Sequence, residues 1–199
     1  MVTIQGLKDT IASLNYKWFD DQINLIAIRT NLQVPDAFND VMCIVYKKDG
    51  VEVLETAMIT TEPGITYQKK LLNPKGAWVM LPAQMINAYK LGLHQGKADH
   101  RCLKSVGKIY GWREDDLDGI ALNDKNAVAQ WVEGTTVGAN IHGSNKLGVT
   151  KVVGPWSAGC QVYNEWKKKE LLISIADLYK NVNGGLITYT LIKESDYKN

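Results

Sequence analysis

Apolar residues recur at two periods along the chain, and the two periods separate helix from strand. Between Thr3 and Asn15, Ile4, Leu7, Ile11 and Leu14 fall three and four apart, which puts them on one face of a short amphipathic helix. A second such stripe, Leu172, Ile175, Ala176 and Tyr179, lies within Asn164 to Lys180 and stops at Asn183-Gly184-Gly185. Elsewhere the apolar residues come in short runs. Ile23 to Ile28 and Val41 to Tyr46 are rich in β-branched side chains and read as buried strands. Lys47-Lys48-Asp49-Gly50 supplies an Asp-Gly turn, and Val51 to Thr60 returns as the second arm of a hairpin. Trp78 to Leu81, Tyr89 to Leu93, Ser105 to Tyr110 and the alternating Leu186 to Ile192 add further strands. Val137 to His142 and Gly159 to Tyr163 flank a Gly-rich connection, as two strand ends with their tips together. Trp112 to Asn126 is acidic and turn-rich and is expected to be a loop. The pattern predicts a mainly β (α+β) fold with one short N-terminal helix and one helix in the C-terminal half.

The chain has 199 residues and no repeat or Pro/Gly/Ser-rich linker, so residues 1–199 are expected to form a single domain, with 1–21 a helical N-terminal extension. A hydrophobic share of 45% and a charged share of 22% are those of a globular protein. The net charge of +2, with Lys and Arg scattered, excludes the basic stripe that nucleic acid requires. No segment reaches the roughly 18 apolar residues of a membrane span. Met1 to Tyr16 is interrupted by Lys8, Asp9 and Asn15 and lacks the apolar core of a secretory signal, so the chain is expected to be cytoplasmic at synthesis. Cys43, Cys102 and Cys160 form no Cys-x-x-Cys pair, which argues against a disulfide framework and a structural zinc site. Nothing in the composition speaks to oligomeric state.

The chemistry concentrates in Asn140-Ile141-His142-Gly143-Ser144-Asn145 and Gly154-Pro155-Trp156-Ser157-Ala158-Gly159-Cys160-Gln161-Val162. A cysteine nucleophile needs a base, main-chain N–H groups for the oxyanion, and a small residue where substrate approaches. His142 is the candidate base and Cys160 the nucleophile. Gly159 opens space beside the sulfur, and the N–H groups of Gly159 and Cys160 are the oxyanion candidates. Ser157 is placed to hold the imidazole or the reacting chain. A free cysteine is more often a buried inert side chain, but the polar, Gly- and Ser-dense surroundings of Cys160 are a poor place for one. Trp156 and Tyr89 are each either cleft-lining or packing aromatics, and His94 is a candidate substrate contact. The Lys167-Lys168-Lys169 run reads as a solvated helix face. Cys43, in an apolar strand, and Cys102, in a polar loop, have no visible base. His94, His100 and His142 lack the spacing of a zinc site, and no metal or cofactor is expected.

The order His142-Gly143, spacer, Ser157-Ala158-Gly159-Cys160, with fifteen positions from His142 to Ser157, resembles the L,D-transpeptidase catalytic domain (YkuD-type) over residues 137 to 163. That family usually carries His where Ala158 stands, and Arg or Asn near the position of Val162. The Trp-Ser-Ala-Gly-Cys-Gln-Val version looks like a divergent branch found among phage and prophage proteins. The resemblance implies a β-sandwich fold and a cysteine-dependent peptidoglycan-modifying enzyme that acts on stem peptides through a thioester acyl-enzyme. It would be a transpeptidase if an amine takes the acyl group, and a peptidase or carboxypeptidase if water does. Catalytic roles then fall to Cys160, His142, Ser157 and Gly159, and substrate-binding roles to Gly143, Trp156, Tyr89 and His94. The partner would be peptidoglycan, met at the cell wall after release. Two alternatives stand beside this reading. A papain-like peptidase places its Cys before its His, whereas His142 precedes Cys160 and no His follows it. A catalytically inactive wall-binding or virion structural module of the same fold is favoured by the departures at Ala158 and Val162.

Overall fold

The computed structural model describes residues 1–32, 34–122 and 127–198. Its strands are β1 (Asn24–Arg29), β2 (Asp40–Lys48), β3 (Val51–Thr60), β4 (Ala77–Met80), β5 (Ala83–Leu93), β6 (Arg101–Ser105), β7 (Lys108–Glu114), β8 (Gln130–Glu133), β9 (Ile141–Gly143), β10 (Gln161–Tyr163) and β11 (Leu186–Lys193). The helices are α1 (Ile4–Ser13), α2 (Ile65–Lys69), α3 (Gly134–Val137) and α4 (Trp166–Leu178). Eight strands close into a barrel in the order β1-β11-β5-β6-β9-β10-β3-β2, and β4-β7-β8 form a separate sheet. The mainly β, α+β character predicted from patterning is present. The sandwich implied by resemblance is not confirmed, because two parallel ladders, β1 with β11 and β9 with β10, join what would be open edges.

Alternation explains why β1 reads as uniformly apolar. Leu25 and Ala27 point into the main core with Met42, Ile44, Tyr89, Tyr163 and Tyr189. Ile26 and Ile28 point outward, where Leu7 and Ile11 of α1 cover them together with Cys43, Val45 and Ile192. The N-terminal helix therefore packs on the barrel wall. Its start is capped by Thr3, whose Oγ1 accepts from Gly6 N at 3.0 Å, and the far end of the chain is tied to it where Lys198 N donates to Thr10 Oγ1 at 2.8 Å. α4 lies against β5, β6, β9 and β10 and contributes Leu172, Ile173, Ile175 and Ala176 to the core.

Several boundaries differ from the sequence reading. The run Ser105 to Tyr110 is two strands, because Val106 N and Gly107 N both turn back to the Ala88 carbonyl. Val137 to His142 is also divided: Val137 ends a single helical turn closed by Gly138 at φ 72°, and β9 begins only at Ile141. β7 runs into the expected acidic loop as far as Glu114, and residues 123–126 of that loop lie outside the described residues. Cys102 sits in β6, fully buried, not in a loop. Lys169 is buried too, its amine 3.5 Å from the Trp166 ring centroid, so the lysine run is not wholly solvated. β8, α2 and α3 have no counterpart in the sequence pattern, nor does β6 before Ser105. No helix among the described residues is long and apolar enough to cross a membrane.

Candidate active site

Local pairing brings the two halves of the motif together. Gln161 aligns with Ile141 and Val162 with His142 in the parallel ladder, and Gln161 N donates to Asn140 O at 2.9 Å. Cys160 thus stands beside Asn140, and His142 two residues further along the same strand. Because side chains alternate, Ile141 and Tyr163 enter the core while His142 faces the other way. His142 and Cys160 both line one cleft of about 330 Å³, with Trp156, His94, Ala158 and Gly159.

The imidazole of His142 has a fixed tautomer. Its Nδ1 lies 2.9 Å from the Gly143 carbonyl oxygen, which only accepts, so Nδ1 carries the proton. Nε2 is left as the basic nitrogen, buried and without a hydrogen-bond partner. Only 2% of His142 is exposed. Burial, with His94 alongside, pushes its pKa down to about 3, partly offset by the Gly143 bond. The residue Cys160 is part-exposed to the cleft, but its sulfur packs on the main chain of 138–140. Burial drives the thiol pKa up to about 12, against a lowering by the Asn140 main chain. The resting pair is therefore neutral thiol and neutral imidazole, which suits proton transfer during attack rather than a preformed thiolate. The thiol donates at 3.6 Å to the Gly138 carbonyl oxygen instead of to His142, so it must rotate to react.

Ser157 and Gly159 shape the loop rather than touch the imidazole. The buried Ser157 hydroxyl donates to Cys160 O at 2.8 Å and accepts from Gly159 N at 3.1 Å. That bond removes the Gly159 N–H from the expected oxyanion pair and leaves the Cys160 N–H as the candidate donor. Gly159 adopts φ +129°, and a Cβ there would come within 2.6 Å of Trp78 Cβ and Trp78 O. Only glycine fits without displacing the backbone.

The four expected substrate contacts divide. Trp156 is 37% exposed at the cleft, and His94 lines it. Tyr89 does not reach the cleft: it is buried in the core, and its hydroxyl donates to Ala139 O at 2.8 Å, buttressing the strand entry beside Cys160. Gly143 does not line it either, because it is packed under α4, where a Cβ would meet Trp166 at 3.0 Å and Lys169 at 3.2 Å. Both are supports for the site and not substrate contacts.

His100, which the sequence offers no reason to keep as a site residue, joins the cleft. Its ring centroid lies 4.7 Å from that of His94 and 5.5 Å from that of His142, and the His94 and His142 rings stack at 4.0 Å with a 30° tilt. Hairpin pairing of β5 with β6 creates this cluster, and no spacing signal announces it. Among the described residues, no three or more His, Cys, Asp or Glu side chains are arranged to hold a metal ion. Asn140 and Gly138 were likewise missed as backbone partners of the thiol. Cys43 and Cys102 are buried, with thiols pushed up to about 12 and about 11 by burial. Compared with known proteins, the chain matches no family model and no curated sequence.

Proposed function

We propose that the protein is a cysteine-dependent acyltransferase or peptidase of the L,D-transpeptidase kind, acting on peptidoglycan stem peptides. The observation that carries this reading is the unpartnered Nε2 of His142, oriented by the Gly143 carbonyl, in the same cleft as Cys160, which is part-exposed where Cys43 and Cys102 are buried. Cys160 Sγ attacks a peptide carbonyl carbon while His142 Nε2 takes the thiol proton. The Cys160 N–H receives the developing oxyanion. The C–N bond then breaks, the leaving amine departs with the proton from His142, and a thioester remains on Cys160. An acceptor amine gives transpeptidation, and water gives hydrolysis. His142 deprotonates either acceptor.

Incubation with purified peptidoglycan, followed by mass spectrometry of the muropeptides, tests this. The expected outcome is loss or exchange of the residue beyond the attacked bond by the native protein and no change with Cys160→Ala. Unaltered muropeptides from the native protein would leave the wall-binding module as the better reading. That second reading has one observation in its favour: the thiol is turned toward the Gly138 carbonyl oxygen.

A further inference from the structure

A second cavity, of about 640 Å³, opens where the barrel meets the three-stranded sheet. Among the described residues it shares no lining side chain with the Cys160 cleft, and no Asp or Glu lines it. Its lining includes Arg29, which is only 5% exposed. Three bonds fix the guanidinium: Nε donates to Thr61 Oγ1 at 2.7 Å, and Nη2 donates to Thr61 O and to Met80 O, each at 2.8 Å. Nη1 donates to nothing among the described residues. Trp112 lines the same cavity, and its Nε1–H is buried without an acceptor. Two donors on rigid supports therefore lack partners beside one space, and a buried donor left unmatched is costly.

Around those donors the surface is aromatic. Tyr110 and Trp112 stand two residues apart on β7 and share one face of the sheet. Trp131 of β8 pairs with Tyr110, their ring centroids 5.1 Å apart, and extends that face as a half-exposed ring. Leu81 and Pro82 add an apolar patch. Charge is close to balanced. Glu62 lies 3.7 Å from Arg29 Nε, and Asp40 accepts from Thr61 Oγ1 at 2.7 Å and from Thr30 N at 2.9 Å. Lys193 lines the cavity, and Oε2 of the next residue, Glu194, accepts from Asn31 N at 2.9 Å and from Thr30 Oγ1 at 3.2 Å. An anion would meet carboxylates as well as cations, and a wholly apolar ligand would leave Nη1 and Nε1 unmatched. A neutral sugar meets both demands: its flat C–H face covers an aromatic ring, and its oxygens accept from the two donors.

We propose that this cavity binds a neutral oligosaccharide of N-acetylated hexosamine. A pyranose ring covers Tyr110 and Trp112, sugar and acetamido oxygens accept from Arg29 Nη1 and Trp112 Nε1–H, and the acetyl methyl packs on Leu81 and Pro82. The inference goes beyond the acyl-transfer reading and does not depend on it. β4 joins the two sites: Trp78 N donates to Ala158 O of the nucleophile loop at 3.1 Å, and Met80 O accepts from Arg29. These anchors stand two residues apart on one strand, about 7 Å, so a bound sugar lies near the Cys160 cleft without occupying it.

Calorimetry with the full-length protein and tetra-N-acetylchitotetraose tests this. Binding is expected, and cellotetraose, which lacks the acetamido groups, and N-acetyl-tetra-alanine amide should each bind at least about fivefold more weakly. Trp112→Phe keeps a ring, removes the N–H and should weaken binding about tenfold. Asn31 is exposed and lines the cavity, so Asn31→Trp should fill the space and abolish binding without disturbing the core. Melting curves establish that both variants are folded. Trp156→Ala, in the other cleft, should leave affinity within about twofold. No binding of the chitin tetramer, or equal binding of cellotetraose or of the peptide, overturns the proposal. So does an affinity that Trp112→Phe or Asn31→Trp leaves unmoved, or one that Trp156→Ala removes, since the sugar would then sit in the Cys160 cleft.

Discussion

That His142 and Cys160 line one cleft agrees with the sequence reading, because residue type and order, both of which the sequence carries, single them out. Their supports were not legible in it. Ser157 was visible as a polar neighbour, but its role, bridging Cys160 O and Gly159 N, depends on a turn that only the folded loop defines. Tyr89 and Gly143 were misassigned for a related reason: an aromatic or a glycine near a motif does not say which side of the strand the cleft is on. Ser157→Ala strips two hydrogen bonds from a buried position and should cost about 1–3 kcal/mol, seen as a lower urea midpoint. Acylation of Cys160 should slow as well, because the carbonyl next to the nucleophile loses its anchor. Tyr89→Phe removes the bond to Ala139 O from the core and should cost about 1 kcal/mol while leaving affinity for a stem-peptide probe unchanged. A large loss of affinity would return Tyr89 to the substrate-contacting group.

Among the elements, those whose register is local were read from the pattern. The second arm of the β2–β3 hairpin spans Val51–Thr60 as expected, and the turn residues Asp49 and Gly50 adopt φ 51° and 80°, as a tight turn of this kind demands. α1 and α4 fall inside their predicted bounds. Short elements held by distant partners escaped. The single turn α3 exists because Gly138 N reaches Gly134 O and Ser105 Oγ reaches the same carbonyl, and neither contact has a sequence period. The nucleophile loop packs directly on Trp78 at Gly159. Trp78 N donates to Ala158 O at 3.1 Å, so β4 is fastened to the nucleophile loop just where a Cβ would collide. Gly159→Ala should therefore lower stability by about 3 kcal/mol, from left-handed strain plus overpacking, and melting by roughly 6–12 °C. A melting temperature within 2 °C of the native protein would show that the loop is looser than this packing implies.

For the whole molecule, closure of the barrel was beyond reach of the pattern. Alternation tells which residues face inward, but the parallel pairing of β1 with β11 joins segments more than 160 residues apart, and nothing local specifies it. The clustering of three histidines on that closed frame makes stability depend on pH. The unfolded chain protonates His142 near 6.5, whereas the folded one keeps it neutral until about 3. The unfolded state binds more protons between those values, so stability is complete above about pH 6.5 and falls as the solution is acidified. His142 alone accounts for up to about 2 kcal/mol between pH 7 and 5. Urea midpoints at the two pH values should differ less in His142→Gln than in the native protein. An unchanged difference would mean that the imidazole is not desolvated.

The central claim is that one oriented imidazole serves one thiol. Intact-protein mass spectrometry during incubation with a stem-peptide acid tests it most directly. The account predicts a hydroxylamine-labile adduct of the acyl fragment on Cys160. It should be absent with Cys160→Ala and should form at least about a hundredfold more slowly with His142→Gln. No adduct on the folded native protein, or equal rates for native and His142→Gln proteins, would contradict it.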